Sequence, residues 1–406
     1  MDMVSPLKTS SDNNDAAERK GFNIPETAER LRNYMAIERA RLRTLAGWFL
    51  RHRDFEVKYR LAYHLYDASE HVTQLRNRLL EMRAGSPNAS VRPALQTFLR
   101  EGANAPDDDS FLKGFYGVLT RQLAEAIDAD LELLDPSGNA NEVRLLKRMR
   151  TTLGEQLAWF DGLKIEPSGG EWPQHLSDAL EAIGGWHGET PTRELTPTNG
   201  PRFERPATIL FDDRITIGPL MAYEERQKLD AHGATIEQFK VFFNEFYAAA
   251  LLASILYDAE EGDYPWEFFA DFSRHFWDEV RHSEFGCIRL RELGVEPNQV
   301  NPVLFDESQG LPILHRVAYL TRGLEAYFMP RKPKRMREYE QNGDARSQLF
   351  ADQDWSDEIN HVRYGSRWTD HLLKEDFREV DDIIDEVKTH LSKVRGGTVK
   401  SIEAPF

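Results

Sequence analysis

From Pro25 onward, apolar side chains recur three and four positions apart over long stretches, as in "ETAERLRNYMAIERARLRTLAGWFLRH" and "EVKYRLAYHLYDASEHVTQLRNRLLEMR". That spacing lays one apolar stripe along a helix and cannot give a strand an apolar face, since strand side chains alternate every second residue. No segment reads convincingly as a strand, so the expected class is all-α.

Two more such stretches, "FLKGFYGVLTRQLAEAIDADLELLD" and "NEVRLLKRMRTTLGEQLAWFDGL", flank the turn "PSG" and complete a four-helix unit over residues 25–163. A loop rich in Gly, Pro, Asn and Asp is expected over 84–109 within it. Residues 1–24 are polar and read as a disordered N-terminus. Residues 164–215 lose the helical period, and "ETPTRELTPTNGPRFERPA" reads as a linker. A second helical unit is expected over 216–395, with helices near 235–259, 265–294, 309–329 and 345–374 and an acidic tail helix near 376–393. A chain of 406 residues has room for two such units.

The net charge of −17 argues against a general nucleic-acid surface. A single cysteine, Cys287, excludes an internal disulfide and a thiolate zinc site, so any metal must be held by histidines and carboxylates. The N-terminus has no apolar stretch of signal-peptide length, and no run approaches the roughly 18 apolar residues of a membrane span. A cytoplasmic protein with no membrane partner is expected.

Glu-x-x-His occurs at Glu279/His282 and Glu358/His361. About one such pair would arise by chance in this composition, but "DEVRHSEFG" and "DEINHVRYG" share Asp, Glu, His and Gly at the same offsets. On a helix that spacing puts Glu and His on one face, where both can grip an ion. A dimetal bundle site needs one further Glu from each of two more helices. Glu245 and Glu279 lie at similar distances from the turn near 258–265, and at a rise of about 1.5 Å per residue a hairpin brings them level. Glu325 and Glu358 repeat the relation around "QNGD". Four carboxylates balance two divalent cations, and oxygen with imidazole suits iron or manganese. Phe242, Phe243, Phe246, Phe276 and Phe328 would keep such a site dry.

Over about 216–375 these residues resemble the ferritin-like superfamily of carboxylate-bridged diiron proteins, whose signature is Glu, Glu-x-x-His, Glu, Glu-x-x-His on four helices. The resemblance implies Glu245, Glu279, His282, Glu325, Glu358 and His361 as ligands of two iron ions, with manganese possible. It also implies that Asp278 and Asp357 each hold a ligand histidine of another helix. The fold implied is two tandem ferritin-like four-helix bundles. The activity implied is dioxygen-dependent hydroxylation or oxidation of a small organic substrate, with a separate electron donor and a possible homodimer. No catalytic residue beyond the metal ligands is singled out. Iron oxidation or handling, and a non-enzymatic helical scaffold with a vestigial site, are the alternatives. Ala249 and Ser283 are candidate lining residues of a substrate pocket. Arg281 reads equally as a support of the site or a surface ion pair, and Gly286 and Gly365 as close-approach positions or as room for a ligand. The run "RKPKRMR" at 331–337 reads as a solvated loop that could receive an anionic substrate.

The first unit carries a partial copy. In "HLYDASEHVTQLRNRLLE" and "HFWDEVRHSEFGCIRLRE", His64, Asp67, His71 and Arg78 align with His275, Asp278, His282 and Arg289, whereas Ala68 faces Glu279. "NEVRL" aligns with "DEINH", pairing Glu142 with Glu358 and Leu145 with His361. The expectation is a degenerate copy without a dimetal site, in which His64, Asp67 and His71 form a satisfied polar network, with a mononuclear or different site using them and Glu38 as the alternative.

Overall fold

The computed structural model describes residues 21–163, 165, 170–192, 202–375 and 378–394, so the expectation of disorder for 1–24 falls mostly outside the described residues. Helix α1 (Ile24–Arg51) opens on a reciprocal cap: Asn23 accepts from the Glu26 N–H, and the Glu26 side chain accepts from the Asn23 N–H. Helix α2 (Phe55–Glu81) is capped by Asp54 and returns against α1. Within the expected loop lies a short helix α3 (Pro93–Glu101), begun by proline at a position that needs no N–H. Helix α4 (108–133) contains a π-helical segment, Lys113–Thr120, and α5 (Ala140–Gly162) closes this group.

The expected linker is not all linker. Helix α6 (Glu171–Ala182) forms inside it and buries Leu176, Ala179 and Leu180 at helical spacing against the π segment of α4. The density of Pro and Gly around this short amphipathic stretch hid it. Strands β1 (Thr216–Ile217) and β2 (Gln299–Val300) pair in parallel over two residues each, a small departure from the strand-free expectation.

A single turn, Tyr223–Arg226, precedes α7 (Ala231–Ala259). By length and composition α7 is apolar enough to cross a membrane, contrary to the sequence reading, but 83 % of its most apolar window is buried inside the protein. Its hydropathy belongs to a core helix. Helix α8 (Trp266–Glu292) carries the first Asp-Glu-x-x-His motif. Helix α9 (313–328) again contains a π segment, Tyr319–Glu325. The basic run is not a loop: Pro333 sits in the first turn of α10 (Lys332–Gln341), where proline is tolerated. Helix α11 (Ala345–Leu372) carries the second motif, and α12 (Val380–Val394) ends the described chain.

The chain is all-α as expected, and one apolar core runs through both halves, from Ala28 to Leu391. The α1/α2 pair packs on the α7/α8 pair through aromatic contacts: Phe49 on Phe276 with centroids 4.8 Å apart, Tyr59 on Phe246 at 4.9 Å, and Tyr66 on Trp277 at 4.7 Å. Such pairs add to the burial term and fix the orientation of α8 relative to the first half.

Candidate metal centre

The motif residues of α8 and α11 face each other, and the two isolated glutamates stand where their helices are irregular. Helix α7 breaks at Asn244 and Glu245: the Tyr247 N–H donates to the Asn244 carbonyl instead of that of Phe243. The Phe243 carbonyl so released accepts from Ser283 Oγ at 2.8 Å. Asn244 pins the break by exchanging two hydrogen bonds with the backbone of Asn301, at 2.6 and 3.2 Å. Glu325 ends the π segment of α9, the kind of helical insertion that re-aims a side chain. Ser283, expected to line a pocket, is therefore committed to the α7 break, and Ala249 is fully buried.

Gly286 and Gly365, one turn beyond each motif histidine, explain why these helices come so close. A β-carbon on Gly286 would stand 2.2 Å from the Phe243 nitrogen, and one on Gly365 would stand 2.0 Å from Thr321 Oγ1 in the π segment. Both glycines are close-approach positions; neither leaves open space for a ligand.

All six expected ligands converge. His282 Nδ1 lies 3.3 Å from Glu245 Oε2 and 3.9 Å from Glu279 Oε2. His361 Nδ1 lies 3.2 Å from Glu279 Oε1, 3.9 Å from Glu358 Oε2 and 4.0 Å from Glu325 Oε1. Glu245 and Glu325 thus point inward, which sequence alone left least constrained. Among the described residues, three sets of donor atoms are close enough to enclose an ion: His275, Glu279, Glu325 and His361; Glu245, His282 and Asp354; and Glu279, His282 and Glu358. Glu279 and His282 each occur in two sets, so neighbouring positions share ligands.

His275 and Asp354 are additions to the sequence-derived set. His275 Nε2 is 2.7 Å from Glu325 Oε1, and its ring stacks on His361 at 3.7 Å. Asp354 lies 3.6 Å from His282 Nδ1. Each stands four residues before its motif glutamate, one turn back on the same face, so extending the motif comparison by one turn would have found both.

Lys332 was missed because it lies within the basic run read as a loop. Its buried ammonium donates to Asp354 Oδ1 at 2.6 Å and Glu358 Oε1 at 2.8 Å. Five clustered carboxylates, Glu245, Glu279, Glu325, Asp354 and Glu358, less this one ammonium leave four negative charges, those needed to neutralise two divalent ions.

Outside the donors, Asp357 Oδ2 lies 3.2 Å from His282 Nε2, and Asp278 Oδ2 lies 3.4 Å from His361 Nε2. Each motif aspartate thus faces the outer nitrogen of the other helix's histidine. Arg281 links the pair, reaching Asp278 at 2.5 Å and Asp357 at 3.0 Å, so it supports the site rather than forming a surface ion pair. Arg274 adds a contact to Asp278 at 2.9 Å.

The electrostatics describe a cluster that calls for cations. Burial alone would depress His361, but Asp278 and Glu279 raise it to about 10, and His282 is raised despite burial by Asp357 and Glu245. Removal from water pushes Glu245 up to about 8, whereas His275 and His361 hold Glu279 well below the usual carboxylate range against the effect of burial. Protons on the imidazoles fill the role of positive charge here, and metal ions would displace them. Each of the six expected ligands also presents a buried atom with no hydrogen-bond partner: Glu245 Oε2, Glu279 Oε1, His282 Nδ1, Glu325 Oε2, Glu358 Oε2 and His361 Nδ1. Buried polar atoms are rarely left so. This donor set fits two hard or borderline divalent ions.

The corresponding region of the first half is filled. His71 Nδ1 lies 3.3 Å from Glu38 Oε1, the separation of His282 from Glu245. At its centre stands the Arg41 guanidinium, which donates to Glu38 at 3.2 Å, Thr120 at 2.6 Å and Gln156 at 2.7 Å. Gln156 in turn donates to Asp67 at 2.9 Å, and His64 Nδ1 meets the Tyr116 hydroxyl at 2.7 Å. A satisfied network was expected, but Glu38 Oε1 and His71 Nδ1 have no hydrogen bond, and the central arginine was not foreseen. The alignment of Glu142 with Glu358 fails: Glu142 lies in the first turn of α5 and binds Arg78 at 2.6 Å, as Arg289 binds Asp344 at the start of α11. Gln156, deeper in α5, takes the level of Glu358, and "NEVRL" matched only by local composition.

Residues 212–406 match the model of a family described as a protein of unknown function, DUF455. That span contains every residue of the second-half cluster. No curated protein and no solved structure matches the chain.

Proposed function

We propose that the second half is a ferritin-like dimetal centre, loaded with two iron ions or with manganese, that serves a dioxygen-dependent oxidase or hydroxylase. In this reading the first half is a degenerate copy of the same unit. When bound, the metal pair would supply the electrons and the coordination positions for reducing dioxygen while a small organic substrate is oxidised. The observation that carries the reading is that six side chains drawn from four helices turn donor atoms toward one another and leave one atom each without a hydrogen bond.

The chain's own residues divide the remaining work. Asp278 and Asp357 hold the histidines by their outer nitrogens and leave the Nδ1 atoms for metal. Lys332 offsets the carboxylate that exceeds the charge of two divalent ions. Phe242, Phe243, Phe246 and Phe276 are fully buried around the bundle and exclude water. Glu245, with 19 % of its side chain exposed, is the one expected ligand with appreciable access to solvent, and it marks the side from which small molecules arrive.

Metal analysis of the purified chain tests the reading. The expected content is close to two iron or manganese per chain, abolished by Glu279→Ala, with anomalous scattering at the iron and manganese edges placing both ions among these ligands. Normal metal content in Glu279→Ala, or none in the parent after reconstitution, would overturn it. Oxygen-dependent product formation from candidate substrates then separates an enzyme from an iron-handling protein.

A further inference from the structure

Against α10 lies a cavity of about 210 Å³, walled by the Tyr223–Arg226 turn, the start of α7 and α10. Its charged lining is Arg226, Arg331, Lys334 and Arg335 against the single carboxylate of Glu338. On a chain of net charge −17 this is a local inversion of sign. We propose that the cavity binds the phosphoryl group of a small molecule.

The decisive side chain is Arg226. The residue is only 3 % exposed, yet its Nε and Nη1 are buried without a hydrogen-bond partner. Burial and the like charge of Arg335 lower its pKa to about 10, and Glu237 offsets this only in part. An uncompensated buried guanidinium is strongly unfavourable, and its forked donors match an oxyanion in geometry as well as charge. Arg335 is similarly underused: it lies over the Phe242 ring at 5.6 Å, and its carboxylate neighbour, Asp354, is 4.0 Å away. Lys334 has Glu338 at 3.6 Å, but both side chains are half exposed and the pair is weak.

A phosphoryl dianion balances the Arg226 and Arg335 charges together, whereas one carboxylate balances only one of them. The volume is below the roughly 300–1,000 Å³ of sites for drug-sized ligands, so the ligand is small. The contact of Arg335 with Asp354 puts the bound group beside the carboxylate cluster, but binding does not depend on metal at that cluster.

Calorimetric titration of inorganic phosphate into the metal-free full-length chain, at ionic strength held constant with chloride, tests the assignment. Glycerol phosphate and acetate serve as parallel probes. Saturable binding of phosphate and glycerol phosphate is expected, with affinity lowered at least tenfold by Arg226→Leu and by Arg335→Gln. Arg226→Leu should also unfold no earlier than the parent in chloride, since it removes an unpaired buried charge. If Arg226→Leu does not fold, Arg335→Gln decides. Unchanged phosphate affinity in the folded variants, no binding to the parent, or acetate binding as tightly as phosphate would overturn the proposal.

Discussion

Asp357 on α11 lies 3.2 Å from Nε2 of His282 on α8, and this contact leaves Nδ1 as the nitrogen turned toward Glu245. The carboxylate thereby fixes both the ring orientation and the tautomer of the donor nitrogen. Asp357→Asn preserves shape but removes the charge that favours a strongly donating imidazole. Metal affinity, measured by competition with a chromogenic chelator, should fall about 10–100-fold while the helical circular dichroism stays unchanged. Unchanged affinity would show that Asp357 serves only Arg281 and Arg274, which lie 3.0 and 3.7 Å from its carboxylate.

The Gly286 contact makes a stability prediction. Because its β-carbon would meet the Phe243 backbone at 2.2 Å, Gly286→Ala must push α8 away from the α7 break. A loss of about 3 kcal/mol or more is expected in urea denaturation, at or beyond the upper end of overpacking effects. Gly162→Ala, at the end of α5 with open space around the glycine, is the control and should be neutral or slightly stabilising.

Four of the six converging residues were legible because their spacing is fixed: Glu279 and His282, like Glu358 and His361, share a helical face whatever the tertiary context, whereas Glu245 and Glu325 rested on the length of the helical arms alone. Helix type was legible for the same reason of period. The break at Asn244 and the π segment ending at Glu325 were not, because each depends on contacts from elsewhere in the chain: Asn301 and Ser283 for the break, and the close approach of Gly365 for the π segment. Lys332 was hidden by its neighbours, since Arg331, Pro333 and Lys334 give the local composition of a loop while one side chain turns inward. Nor could periodicity reveal that Arg41 is buried at the centre of the Glu38 network, since an arginine three residues after a glutamate on a helix is usually a surface partner.

Arg41 is buried with Glu38, so removing it leaves a buried carboxylate without its principal cation. Arg41→Met should cost about 3–5 kcal/mol in chemical denaturation, the range for breaking one side of a buried pair. Glu38→Gln combined with Arg41→Met should recover part of the loss, because both charges then disappear together. For the same reason Ala68→Glu should not create a metal site in the first half: the cation position is already taken by a guanidinium. Iron or manganese bound by Ala68→Glu beyond the content of the parent would refute that account.

His64 gives the first half a defined response to acid. Burial, with the nearby positive charges of Arg41 and Arg60, lowers its pKa from 6.5 to about 3, and its Nδ1 faces the Tyr116 hydroxyl. The folded state therefore keeps this imidazole neutral at pH values where the unfolded chain protonates it. Because the unfolded state binds the extra proton, stability falls as pH drops below 6.5 and continues to fall until the folded pKa near 3 is reached; above 6.5 this group imposes no loss. At pH 5 the penalty is about 2 kcal/mol, taken from about 1.4 kcal/mol per pKa unit. His64→Gln cannot titrate, so the stability gap between the parent and His64→Gln should shift by about that amount in favour of the variant between pH 7.5 and pH 5. Urea midpoints measured at the two pH values give the comparison, and a gap that does not change with pH would mean that His64 is protonated in the native state at pH 5.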